Sequence, residues 1–121
     1  MFRALSARHA RRWKFVSFRG DQGGESRGVV DVLAIRKDTS APTDPKLKSH
    51  DLFDIVLVQC KGGGARAPTH DDIQRLRRVA KVYRAKAVVL FEWRFRSAAV
   101  FKTLPARGDD WVVVDGKDVF G

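Results

Sequence analysis

A single cysteine in 121 residues excludes an intramolecular disulfide, and three histidines, at positions 9, 50 and 70, leave no spacing that builds a zinc site. A reducing, cytoplasmic setting is the expectation. No apolar run approaches the roughly 20 residues that a membrane-spanning helix needs. Internal repeats and low-complexity tracts are missing, which excludes a solenoid or a repetitive linker. Acids are scarce: 14 Asp and Glu stand against 24 Lys and Arg, a formal net charge of +10. So large a basic balance in a short chain favours a polyanionic partner, most often nucleic acid, over an acidic membrane surface or mere solubility.

What remains is an ordinary globular composition, 44% hydrophobic and 31% charged, long enough for one domain with a real core over residues 1–121. The chain is organised around Asp54-Ile55-Val56-Leu57-Val58-Gln59-Cys60-Lys61, followed by Gly62-Gly63-Gly64. Its β-branched, apolar character predicts a buried strand, and the glycines predict a loop that lets a ligand approach the backbone. Alternation puts Gln59 and Lys61 on one face and Cys60 on the other. A second run, Gly28-Val29-Val30-Asp31-Val32-Leu33-Ala34-Ile35, carries a carboxylate inside it. An unpaired buried carboxylate costs several kcal/mol, so Asp31 requires a donor or a cation, for which Lys61 or a metal would serve.

In chain order, the acid-free start with Arg3, Arg8, Arg11, Arg12 and Lys14 predicts a short basic helix, with an organellar transit peptide as the lesser alternative. Residues 13–18 alternate as a strand, and residues 19–28 form a Gly-rich turn holding Asp21 and Glu25. The polar, Pro-containing stretch 37–50 predicts a long, mobile hairpin loop. Thr69 with Asp72 makes a capping box that starts a helix running to about Ala85. Its expected buried stripe is Ile73, Leu76, Val79, Ala80 and Tyr83, with Arg75, Arg77, Arg78, Lys81 and Arg84 outward. Strands follow at 87–93, 97–104 and 111–115, before a Gly-bounded tail. The fold class is α/β, a mixed sheet flanked by helices in the order α-β-β-β-α-β with extra strands at the end.

Neighbouring strands lie about 4.8 Å apart, so Asp31, Gln59 and Lys61 could converge. A carboxylate, an amide oxygen, a backbone carbonyl and water form a hard-oxygen set suited to Mg²⁺ or Mn²⁺. A lysine beside such an ion can orient the attacking water and offset charge building on a phosphate.

This arrangement resembles the PD-(D/E)xK nuclease superfamily, closest to Mrr-type restriction endonucleases and their Holliday-junction resolvase relatives. The matching residues are Gly28-Val29-Val30-Asp31-Val32 and Val58-Gln59-Cys60-Lys61, the latter in a QxK form; the likeness spans roughly residues 13–93. It implies a restriction endonuclease-like core and a Mg²⁺- or Mn²⁺-dependent endonuclease acting on DNA, with branched or junction DNA among its substrates. It further implies Asp31 as metal ligand, Gln59 as ligand through its side-chain oxygen, Cys60 through its backbone carbonyl, and Lys61 as the catalytic lysine. A homodimer follows from the paired cuts that resolvases make. Many resolvases place a Glu in the first helix; this chain has none there, and Glu25 is the acid nearest to replacing it. Phosphate contacts are expected from Arg8, Arg11, Arg12, Lys14, Arg75 and Arg78.

Other readings stand beside this one. Asp31 and Lys61 would equally make a plain buried ion pair, with Gln59 satisfying a sheet hydrogen bond. A nucleic-acid-binding module on the same fold without chemistry, or a subunit of a larger nucleoprotein assembly docked by its basic first helix, fits the same charge.

Overall fold

Alternating and continuous apolar runs become strands, and the one strongly capped amphipathic segment becomes the main helix. A computed structural model describes residues 13–18, 28–62, 68–93 and 99–120. These form β1 (Lys14–Ser17), β2 (Val32–Lys37), β3 (Phe53–Gly62), α1 (His70–Tyr83), β4 (Ala87–Trp93), β5 (Val100–Thr103), β6 (Val112–Val114) and α2 (Gly116–Phe120). The expected first helix lies outside the described residues.

The six strands form one mixed sheet in chain order, β1-β2-β3-β4-β5-β6. Only β3 and β4 run parallel, with Val56 opposite Ala87 and Lys61 opposite Glu92; the other four pairs are antiparallel. A parallel neighbour needs a long crossover, and α1 supplies it. The capping box at its start is present as expected: the Thr69 hydroxyl accepts from the Asp72 N–H, and the Asp72 carboxylate accepts from the Thr69 N–H.

β3 is buried on both faces, which is why its sequence reads as an unbroken apolar run. On the α1 side, Leu57 and Val88 pack with Val29 and Leu76. On the other side, Val32, Ala34, Val56, Val58, Cys60, Val89 and Phe91 meet Trp13, Val119 and Phe120. The residues read as a Gly-bounded tail are therefore a closing helix. Phe120 is 1% exposed and stands edge-on to the rings of Trp13, Phe15 and Phe101, at 5.4 to 6.1 Å between centroids. A five-residue helix shows too little periodicity to declare itself.

Two further expectations are corrected. Tyr83 is 60% exposed: it is the last residue of the helix, Arg84 turns the chain through the left-handed region, and Ala80 and Ala85 pack on the core in its place. Arg77 is not a solvated cation: its guanidinium donates to the carbonyls of Pro105, Ala106 and Gly108, satisfying the strand-to-strand loop that crosses α1. The link after β2, read as mobile, is closed at its base by the Asp38 N–H on the Leu52 carbonyl and the His50 N–H on the Asp38 carbonyl. Inside it, Asp38 caps Ser40 and Asp44 caps Lys46.

Candidate functional site

The sequence places Asp31 within its strand, whereas β2 begins one residue later. The Asp31 N–H donates to the Val58 carbonyl on β3, while its own carbonyl accepts from the Phe18 N–H on the β1 side. In a regular strand both groups of one residue face the same neighbour. Val58 also stands opposite Val32, so two residues of this strand face one residue of β3, the signature of a β-bulge. Bulges re-aim side chains, and here the result is specific. The ladder stops short of Cys60, and the Cys60 N–H donates instead to the Asp31 carboxylate, 2.8 Å to Oδ2. One donor to Asp31 is therefore a backbone amide at the far end of β3.

Gln59 and Lys61 flank that amide. Gln59 shares the α1 face of β3 with Leu57, and Lys61 follows two residues later on the same face. Gln59 is 6% exposed, and its Oε1 has no hydrogen-bond partner among the described residues. An orphaned amide oxygen of this kind costs about 1–3 kcal/mol, and no hydrogen bond among the described residues offsets that cost. Cys60 turns its side chain into the opposite, apolar layer; only its backbone belongs to the site. Gly62, expected to admit a ligand, has another reason to lack a side chain. A Cβ there would run into the Trp93 indole, which packs over it. Gly63 and Gly64 lie outside the described residues.

The sequence reading missed Glu92 and Lys102. Glu92 is the register partner of Lys61 on β4, and it lies on the α1 face because Val88, four residues earlier, does. Lys102 reaches it from β5, Nζ to Oε1 at 3.2 Å, with both side chains about three-quarters buried. The rule that singled out Asp31, a carboxylate inside an apolar strand, finds Glu92 equally well.

Towards the carboxyl ends of β3 and β4, Asp31 thus bonds the Cys60 amide, Lys61 stands opposite Glu92, Glu92 pairs with Lys102 from β5, and Gln59 shares the face of Lys61 and Glu92. Among the described residues no three His, Cys, Asp or Glu side chains converge as a metal-holding group. The buried, unpartnered Oε1 of Gln59 is an acceptor of the kind a hard cation takes. Glu25 lies outside the described residues.

The expected phosphate contacts divide. Lys14 is exposed on the edge strand β1, and Arg75 and Arg78 are exposed on α1, whose Ile73 and Leu76 are the buried residues. They do not join the polar cluster beneath the helix. Arg8, Arg11 and Arg12 lie outside the described residues. At the opposite end of the strands a cavity of about 440 Å³ is lined by Arg36, Lys37, Asp54 and Lys86 among others. Arg36 is there committed to Asp54 at 2.9 Å and lies 4.4 Å from the Trp13 ring. No helix among the described residues is long and apolar enough to cross a membrane. Comparison of the chain with protein-family models, with curated proteins and with solved structures gave no match.

Proposed function

We propose that this chain is a divalent-metal-dependent endonuclease that hydrolyses DNA phosphodiester bonds on a restriction endonuclease-like core. The observation that carries the reading is the buried, unpartnered Oε1 of Gln59 one residue from the amide that Asp31 binds. Three antiparallel strands followed by a helical crossover and a parallel strand agree with the expected core order.

Asp31 and Gln59 would hold Mg²⁺ or Mn²⁺, with the backbone carbonyl of Cys60 as a further oxygen donor. The ion, when bound, lowers the pKa of a coordinated water and offsets phosphate charge. Asp31 has a second task, since its bond to the Cys60 N–H fixes the end of β3 and with it the spacing of Gln59 and Lys61. Lys61 supplies a positive charge on the same face, where it orients water and offsets charge developing on the scissile phosphate. Leu57, Val88 and Leu76 exclude water from beneath these groups, which strengthens each electrostatic contact.

A second reading, a DNA-binding module without chemistry, draws on the neutral amide at position 59, where a carboxylate would hold a divalent ion more tightly. Labelled duplex, branched and single-stranded DNA incubated with Mg²⁺, Mn²⁺ or chelator separates the two. Metal-dependent cutting that Asp31→Ala abolishes supports the nuclease; salt-sensitive binding with no cutting in either metal supports the module.

A further inference from the structure

We infer that Glu92 is the second carboxylate of the metal site, supplying from β4 the charge that Gln59 withholds on β3. The inference rests on the metal-site reading above and extends it to a residue outside the motif. Three observations carry it. Glu92 and Lys61 are register partners on parallel strands, and Gln59, Lys61 and Glu92 share the α1 face. Strands about 4.8 Å apart, with same-face residues about 6.6 Å apart along each, put the Cβ atoms of Gln59 and Glu92 roughly 8 Å apart, a gap that two long side chains span around one ion. The Gln59 oxygen is buried and unpartnered, an acceptor whose chemistry suits a hard cation.

A hard divalent ion favours oxygen ligands and gains affinity with each added carboxylate. Asp31 and Gln59 alone bring one negative charge. Glu92 brings the second, and Lys102, 3.2 Å from its Oε1, holds that carboxylate on the α1 face and balances its charge when no ion is bound. Lys102 therefore competes with the cation, and Glu92 welcomes it.

That opposition gives the test, because Glu92→Gln and Lys102→Met break the same ion pair and perturb the fold alike. Binding of Mn²⁺ to the full chain is titrated by calorimetry and by the loss of the free-ion electron spin resonance signal, with no nucleic acid present. Glu92→Gln should weaken Mn²⁺ by about tenfold or more, while Lys102→Met should bind it as tightly as wild type or more tightly. Equal affinity in Glu92→Gln and wild type overturns the inference and leaves the Asp31 and Gln59 site standing. Weakening by both variants also overturns it, since the ion pair would then act only through structure. Wild type that binds no Mn²⁺ at millimolar concentration overturns both. If Mn²⁺ binding depends on Glu92 but no DNA is cut, this inference stands and the nuclease reading falls.

Discussion

A core glutamine whose oxygen finds no partner should be replaceable, where the fold alone is concerned, by an apolar residue of similar size. Gln59→Leu is accordingly expected to leave stability unchanged or to raise it by up to about 1 kcal/mol in urea unfolding, while Mn²⁺ affinity falls. Asp31→Ala should behave in the opposite way towards the fold. It strips the Cys60 N–H of its acceptor at a bulge, and an expected loss of about 1–3 kcal/mol should appear as a lower urea midpoint. Gly62→Ala sets a Cβ into the Trp93 indole and should cost about 1–3 kcal/mol, measured the same way. At this scale the sequence was legible where a residue broke its local pattern. Asp31 stood out as an acid in an apolar run, and its need for a partner was sound. Its actual partner could not be read, because a bulge suspends the alternation from which side-chain directions are inferred. Gly62 misled for a related reason: a glycine in a strand signals close approach, but composition does not say whether a ligand or a neighbouring indole does the approaching.

Elements were read best where two independent signals agreed. The Thr69 and Asp72 box together with the Ile73 and Leu76 spacing placed the start of α1, and the Ala87-to-Trp93 run matched β4 residue for residue. The closing helix was missed because Val119 and Phe120 show their purpose only once the sheet they cover exists. One element carries a pH dependence. His70 opens α1 and bonds through Nδ1 to Asp109 in the loop between β5 and β6. The hydrogen bond to Asp109, and then its negative charge, raise the His70 pKa above 6.5, with Asp71 adding a smaller effect in the same direction. A raised folded value means that this tether stabilises fully below about pH 6.5 and is lost as pH climbs through the higher folded value. Nuclear magnetic resonance titration of the His70 ring should show that raised midpoint, and Asp109→Asn should return it towards the ordinary range. Arg77, on the same helix, holds this loop from another side through the Pro105, Ala106 and Gly108 carbonyls, so the loop is kept in place above the transition.

On the scale of the whole molecule, one sheet separates two apolar layers that contribute differently. The layer closed by α2 is aromatic and continuous, and Phe120→Ala should cost about 3–5 kcal/mol because three rings lose their common contact. The layer beneath α1 ends in charge at the carboxyl ends of β3 and β4, where open α/β sheets place their ligands. On the proposed reading, the net charge of +10 would supply long-range attraction to a polyanion. Single-turnover cleavage of labelled DNA in Mg²⁺ and Mn²⁺ by wild type and Lys61→Ala, with binding of the same DNA measured in parallel, decides whether Lys61 carries the chemistry. Cutting by wild type that falls by at least about a hundredfold in Lys61→Ala, with binding retained, is the expected result. Equal cutting by both proteins, or none by wild type while both bind, would contradict the account.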